Sequence, residues 1–297
     1  MNKAYEIGDE IRFEVTPADF GRLAAQTAKQ IIMQKVREAE RGVVYDKFIG
    51  YENEIITGEV ERQDSRFLYI ILPGNQEAAM KQGDQMPNET YRMGDKIKVL
   101  VSQVQNEQRG PQVFVSRTHA DLVKRLFEAE VPEVFDGTVE IKSIAREAGD
   151  RSKIAVYSHN SNLDAVGTMV GQRGARVQAV VNELSGENMD IVEWTEDPAQ
   201  FIKNALNPAD VVEVIFDPTN DRAVTVLVPD YQLSLAIGKR GQNARLAARL
   251  TGFKIDIKPE SERDAVIADM ANREEEAANA PVVEADVADD FEETDEA

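Results

Sequence analysis

The sequence predicts a multidomain α+β protein that combines a small β-barrel with a duplicated α+β unit. Two observations indicate this fold class. A five-residue motif occurs twice, since residues 170–174 read Val-Gly-Gln-Arg-Gly and residues 237–241 read Ile-Gly-Lys-Arg-Gly. Upstream of both copies, segments between residues 55 and 116 alternate apolar and polar side chains with a period of two, as short strands do. A chain of 297 residues has room for two or three such domains.

The composition excludes several classes of protein. No run of about 18 apolar residues could cross a membrane. No charged and apolar leader precedes a small-residue cleavage site, so no secretory signal is predicted. Cysteine is absent, which excludes disulfide scaffolds and thiolate metal sites. We therefore expect a cytoplasmic protein with no membrane partner.

The N-terminal segment, residues 1–48, is predicted to contain one strand and one long helix. Alternation at residues 10–15 indicates the strand, and Thr-Pro-Ala-Asp at residues 16–19 begins a helix that continues to about Arg41. One strand and one helix are too little to close a core. The segment therefore either packs on the next domain or is the remnant of a larger one.

Residues 50–117 are predicted to form an OB-fold barrel of the ribosomal S-one type. The alternation indicates strands at residues 55–60, 67–72, 96–101 and 112–116. Phe67 and Tyr69 are two residues apart on one strand, so their rings share a face. They either form a platform for stacking nucleic-acid bases or pack in the core, and the sequence favours neither role.

Residues 118–195 and 196–262 are predicted to be two copies of one unit. Its order is helix, strand, strand, helix, loop, helix, strand, and the motif Gly-X-X-Gly occupies the loop. Asp197 and Pro198 begin the second copy, as helix N-cap and first helical residue. This order, with a Gly-X-X-Gly loop between two helices, is that of the bacterial-type KH domain, which clamps about four single-stranded nucleotides.

The two loops are the predicted RNA-binding sites. Glycine has no Cβ, so a sugar-phosphate chain can approach the backbone, and the helix that follows directs its free N–H groups to the same place. A single Gly-X-X-Gly sequence is usually an ordinary turn, but two copies in one context favour binding. Arg176 and Arg245, on the following helices, are expected to line the groove. The predicted RNA-binding residues are Gly171, Gln172, Arg173, Gly174, Arg176, Gly238, Lys239, Arg240, Gly241 and Arg245.

The formal net charge is −20, and the acidic residues are concentrated at the C-terminus. From Asp264 onward there are 13 acidic residues and one basic residue, a net of −12, which leaves −8 for residues 1–263. RNA affinity must therefore come from local patches of positive charge. Residues 263–297 are predicted to be an acidic disordered tail because they contain too few large apolar groups to fold. The tail either only solvates the protein or also competes for basic surfaces such as its RNA sites.

No catalytic or metal-binding residue is predicted. The two histidines, His119 and His159, lack the spacing of a zinc site, and no phosphate-binding P-loop sequence occurs. The carboxylates form no cluster that is distinct from a solvated surface. We expect neither an enzyme nor a cofactor.

The order of barrel, KH unit and KH unit resembles the NusA family of bacterial transcription elongation factors. The resemblance covers about residues 5–262 and rests on residues 110–118 (GPQVFVSRT), 132–141 (PEVFDGTVEI), 144–151 (IAREAGDR) and 233–247 (LSLAIGKRGQNARLA). It implies a protein that binds RNA polymerase core and single-stranded nascent RNA and modulates pausing, termination and antitermination. Other Nus factors are further implied partners, and we expect a monomer.

Two features depart from the family pattern. The N-terminal domain that docks on polymerase is expected to be shortened to its last strand and helix, so polymerase binding is left open. Gln172 stands where the second loop has Lys239, which weakens the positive charge of the first loop. An alternative is an accessory RNA-binding component of an RNA-processing or degradation enzyme, since polynucleotide phosphorylase also combines such modules. That enzyme has one KH unit, placed before the barrel and behind large catalytic domains.

Overall fold

The computed structural model describes residues 18–106 and 112–279, which form two compact units. Within these described residues, the first unit comprises residues 18–85 and those between 90 and 122, and the second comprises Met86–Glu89 and residues 123–279. The first contains the long N-terminal helix and the barrel, and the second contains both KH units. The strand predicted at residues 10–15 lies outside the described residues.

Helix α1 (Ala18–Phe48) is longer than the predicted helix, which ended near Arg41. Only its last turns pack on the barrel, where Val44, Tyr45 and Phe48 join the barrel core. The Gln112 side chain also donates a hydrogen bond to the backbone carbonyl of Arg41 at 3.0 Å. The preceding part of the helix is exposed from residue 21 to residue 37. Within residues 18–106 and 112–279, no helix combines the length and apolarity needed to cross a bilayer.

The predicted OB-type barrel is confirmed as a closed barrel of five strands in the order β1-β2-β3-β5-β4. Four strands correspond to the predicted ones, and β3 was not predicted. Its sequence, Gln-Glu-Ala-Ala-Met-Lys, has little intrinsic strand preference. Pairing with β2 on one side and β5 on the other makes it a strand. The strands are β1 (Ile55–Gln63), β2 (Phe67–Leu72), β3 (Gln76–Lys81), β4 (Lys96–Val104) and β5 (Val113–Ser116).

The two predicted KH units are confirmed, and each has a three-stranded sheet whose middle strand pairs antiparallel with one neighbour and parallel with the other. Asp197 caps the second unit as predicted, since its carboxylate accepts a hydrogen bond from the Ala199 N–H at 3.0 Å. The first KH unit contains α2 (Ala120–Glu130), α3 (Pro132–Phe135), β6 (Val139–Glu147), β7 (Arg151–Ser158), α4 (Ala165–Val170), α5 (Ala175–Glu183) and β8 (Asn188–Glu193). The second contains α6 (Pro198–Ala205), β9 (Glu213–Phe216), β10 (Ala223–Val228), α7 (Leu233–Ile237), α8 (Gln242–Thr251) and β11 (Lys254–Pro259).

One hydrophobic cluster, which we call the joint core, contains buried residues of both KH units. Ala145, Ala155 and Val192, one from each strand of the first unit, are buried in the same cluster as the side chains of α6 and α8. The Ser143 hydroxyl adds a hydrogen bond to the Leu250 carbonyl at 3.0 Å. A continuous buried core resists sliding and rotation of its parts. The joint core therefore fixes one KH loop relative to the other.

The prediction that residues 263–297 are disordered is wrong for residues 263–279, which form helix α9 (Arg263–Asn279). Arg263 pairs with Glu213 at 2.7 Å and Arg273 pairs with Asp217 at 3.0 Å. The two arginines are ten residues apart on a helix, a rise of about 15 Å, and their partners are four residues apart along β9 and its end, a rise of about 13 Å. Because these two lengths are similar, the two ion pairs hold α9 alongside β9. Met270 is also buried. Composition does not reveal these tertiary contacts, and residues 280–297 lie outside the described residues.

Candidate nucleic-acid interface

The two Gly-X-X-Gly loops have the same backbone conformation. The φ and ψ angles of Gly171 are 73° and 176°, against 76° and 172° for Gly238. Arg173 and Arg240 both adopt the left-handed region, with φ of 54° and 56°. In each loop, the last glycine donates a backbone hydrogen bond to the first at 3.1 Å. The duplicated sequence therefore builds two copies of one turn.

The first glycine of each loop is required by packing as well as by its dihedral angles. A Cβ at Gly171 would lie 2.8 Å from Cγ of Arg176, and a Cβ at Gly238 would lie 2.8 Å from the backbone nitrogen of Asn243. The last glycines differ, because a Cβ at Gly174 would meet no atom closer than 3.9 Å and one at Gly241 would meet none within 4 Å. The first glycine thus lets the helix after the loop approach the turn closely.

The side chains in the middle of both loops are exposed. Within the part of the chain that the structure describes, no carboxylate forms an ion pair with Arg173, Lys239 or Arg240. Their charges are therefore available to an anionic ligand. Gln172 is exposed too but neutral, so the first loop presents one cation and the second presents two.

The arginines on the helices after the loops behave differently from the loop cations, because both are already paired. Arg176 forms an ion pair with Glu133 at 3.0 Å and donates a hydrogen bond to the Thr168 carbonyl at 2.8 Å. Arg245 forms an ion pair with Glu147 at 2.6 Å. Arg176 lines the groove of its unit, as expected, whereas Arg245 contacts the Arg240 carbonyl of its loop but is not among the residues that line the second groove. Carboxylates compensate both charges.

Glu147 belongs to the first KH unit yet controls charges beside the loop of the second. Its other carboxylate oxygen accepts a hydrogen bond from the Gln242 side chain at 2.9 Å. The hydrogen bond from Arg245, above all, keeps the pKa of Glu147 below its usual value, so the carboxylate remains ionised at neutral pH. The role of Glu147 was not predicted, because Glu147 lies 98 residues before Arg245 in the chain. No local pattern signals such a contact.

Replacing Glu147 with glutamine is expected to strengthen binding of single-stranded RNA by about two- to fivefold at low salt, the range typical of exposed ion pairs. The substitution removes a negative charge next to Arg245 and leaves the shape of the side chain. Fluorescence anisotropy titration with a labelled RNA of about twelve nucleotides measures the change. Glu128→Gln is the matched control, since Glu128 pairs with Arg125 at 2.6 Å and neither residue lines either groove. Weaker binding by Glu147→Gln would show that the carboxylate supports the site instead of competing with RNA.

Each loop opens on a groove. The groove of the first unit has a volume of about 620 Å³ and that of the second about 240 Å³. The first is lined by Leu163, Asp164, Gly167, Thr168, Gly171, Gln172, Ala175 and Arg176. The second is lined by Arg151, Pro208, Ser234, Leu235, Gly238, Lys239, Gln242 and Asn243. The first groove is thus lined by Asp164 and by Arg176, which is paired with Glu133. The second is lined by the unpaired Lys239 and by Arg151, which is paired with Asp190.

The barrel presents an aromatic surface of its own. Phe67 and Tyr69 are partly exposed, whereas Leu68 next to them is buried in the barrel core. The rings of Phe67 and Tyr69 lie 5.9 Å apart, and the Arg62 guanidinium lies 3.4 Å above the Tyr69 ring. The two rings therefore lie on the outer face of the barrel. Of the two roles that the sequence left open, this position suits a stacking platform better than core packing.

Neither histidine lies in a metal-binding cluster. His159 contacts Glu140 at 3.0 Å, and His119 lies 3.6 Å from Asp121. Among residues 18–106 and 112–279, no group of three or more histidine, aspartate or glutamate side chains is arranged to hold a metal ion.

Comparison with protein-family models identifies three parts of the chain. Residues 117–194 match the NusA-like first KH domain, and residues 198–265 match the NusA-like second KH domain. Residues 1–42 match the NusA N-terminal domain. The two KH matches coincide with the two units that carry the loops.

Several relatives are similar over most of the chain, and each is a transcription termination/antitermination protein NusA. That of Halalkalibacterium halodurans is 57% identical over 279 residues, covering 94% of this chain and 72% of the relative. That of Bacillus subtilis is 58% identical over 262 residues, covering 88% of this chain and 70% of the relative. That of Thermus thermophilus is 42% identical over 274 residues, covering 92% and 70%. With these relatives, and with both KH units and the N-terminal segment matched, the chain belongs to the NusA family of transcription termination/antitermination proteins.

Proposed function

We propose that this protein is an RNA-binding transcription elongation factor, which associates with RNA polymerase and nascent RNA to modulate pausing, termination and antitermination. The main support is the pair of Gly-X-X-Gly loops, which share one backbone conformation and present the unpaired cations Arg173, Lys239 and Arg240. Membership of the NusA family supports the transcriptional role. The same membership disfavours the alternative of an accessory component of an RNA-processing enzyme.

The RNA runs as one extended single strand along both KH grooves. At each loop, backbone N–H groups and the N-terminus of the following helix hold phosphates, and the loop cations add charge. The glycines let the strand approach, whereas Arg176 and Arg245 position the loops and line the path. The protein acts by binding and catalyses no reaction. The residues assigned to this site are Gly171, Gln172, Arg173, Gly174, Arg176, Gly238, Lys239, Arg240, Gly241 and Arg245.

The barrel supplies a further RNA-binding surface. Partly exposed aromatic rings suit base stacking, which tolerates any base because every base has a π-face. We assign Phe67 and Tyr69 to this platform, and Arg62 to the charge at its edge.

The division of labour follows the domains predicted from the sequence. We assign polymerase binding to residues 1–48, stacking to residues 50–117, and phosphate binding to residues 118–195 and 196–262. The protein functions as a monomer in the cytoplasm, where bacterial transcription takes place, and other Nus factors are further partners.

Two measurements test the proposal. A pool of single-stranded RNAs of about twelve nucleotides and random sequence is expected to bind the protein, because each loop holds about four nucleotides. Core RNA polymerase is expected to co-purify with the tagged protein. It is expected not to co-purify with a tagged variant that lacks residues 1–48. Absence of RNA binding at low salt would refute the role of the loops, and absence of polymerase would refute the role of residues 1–48.

A further inference from the structure

The groove of the second KH unit is not built by that unit alone. Seven of its lining residues belong to the second unit, but Arg151 is the first residue of strand β7 in the first unit. The larger groove of the first unit is lined only by residues 163–176 of that unit. The second groove is therefore complete only when both KH units are held together by the joint core.

Arg151 is held rigidly in this position. Its Nε and Nη2 donate hydrogen bonds to the two carboxylate oxygens of Asp190, at 2.7 and 3.0 Å. Within residues 18–106 and 112–279, no atom accepts a hydrogen bond from its Nη1. The side chain remains 30% exposed. A guanidinium fixed by two bonds loses little side-chain entropy when its remaining N–H groups bind a ligand.

Asp190 also holds, through Lys153, the backbone next to Pro208, another residue that lines the second groove. Asp190 accepts a hydrogen bond at 3.1 Å from Lys153, whose side chain is fully buried. The Lys153 ammonium in turn donates to the Asn207 carbonyl at 2.8 Å, and the next residue, Pro208, lines the groove. One carboxylate thus positions Arg151 directly and, through Lys153, the backbone next to Pro208. Residues held in place before the ligand arrives suit a binding site better than a mobile surface cation does.

We propose that Arg151 of the first KH unit is part of the RNA site of the second, where its free Nη1 binds a phosphate of the strand held by the Gly238–Gly241 loop. Two cations, Arg151 and Lys239, line one groove of about 240 Å³ beside that loop. Arginine is well suited to phosphate oxygens because its planar N–H groups match their geometry. This inference rests on the proposed RNA-binding function and adds a residue to it from the neighbouring domain.

Substitution of Arg151 with glutamine tests the inference, because glutamine removes the charge and can still donate to Asp190. With a random pool of single-stranded RNAs of about twelve nucleotides, affinity at low salt is expected to fall by about tenfold, the size of one charge-assisted hydrogen bond. The plot of log affinity against log salt concentration is expected to become shallower by about 0.7, the contribution of one phosphate contact in single-stranded RNA. Arg151→Lys, which keeps the charge, is expected to retain the wild-type slope.

Arg125→Gln is the matched control. Arg125 is 31% exposed and pairs with Glu128, much as Arg151 is 30% exposed and pairs with Asp190. It is expected to leave affinity and slope unchanged. If Arg151→Gln weakens binding without changing the slope, the side chain is structural and the inference is overturned. Unchanged affinity also overturns it, whereas a wild-type protein that binds no RNA refutes the proposed function itself.

Discussion

Replacing Gly174 and Gly241 together with aspartate is expected to weaken binding of single-stranded RNA by about a hundredfold. Each substitution places a carboxylate where the proposed function places a phosphate, and one such like-charge contact costs about tenfold or more in affinity. Space is available for the new side chains, since a Cβ would lie 3.9 Å from its nearest neighbour at Gly174 and beyond 4 Å at Gly241. Anisotropy titration with RNA of about twelve nucleotides measures the loss.

The matched control carries alanine at the same two positions. Both glycines have positive φ, 76° and 74°, a region that aspartate tolerates better than alanine, so alanine imposes at least as much backbone strain as aspartate. Only aspartate adds charge. The alanine variant is expected to bind far more tightly than the aspartate variant. Equal affinities would show that the loops are turns without contact to phosphate. Gly171 and Gly238 are less suitable positions, because a Cβ there would clash with the helix that follows each loop.

Replacing Ala155 with glutamate is expected to lower the free energy of unfolding of the KH pair by at least about 3 kcal/mol. Ala155 is fully buried in the joint core, so glutamate would be overpacked and its charge would lie in an apolar environment. Urea denaturation measures the change. Ala268→Glu on helix α9 is the control, since Ala268 is exposed and the substitution is expected to have little effect.

The same variant tests whether the joint core matters for RNA binding. Two sites held in fixed positions bind one strand more tightly than either site alone, because the second contact becomes intramolecular. Binding is measured without denaturant, under conditions where the Ala155→Glu variant remains folded. The affinity of this variant for RNA of about twelve nucleotides is expected to fall towards its affinity for RNA of about four nucleotides. Wild-type affinity for the longer RNA would show that the fixed arrangement of the two KH units contributes nothing.

Local patterns were sufficient for much of the fold. The KH units follow from the repeated motif, and Asp197 with Pro198 correctly marked a helix start. Most barrel strands follow from the alternation of apolar residues. Strand β3 was missed because Ala78, Ala79 and Met80 are buried consecutively and do not alternate with polar residues. Helix α9 was missed because its contacts are with a strand about 50 residues earlier in the chain.

The sequence alone was enough to predict the two Gly-X-X-Gly loops between helices, because glycine spacing and helix N-termini act within a few residues of one another. Only the folded molecule revealed which cations are free and which are compensated. Arg245 meets Glu147, and the second groove gains Arg151, through contacts between domains that the sequence keeps far apart. Charges act through space over a few ångströms, so the balance of attraction and repulsion at each loop depends on how the two KH units pack together.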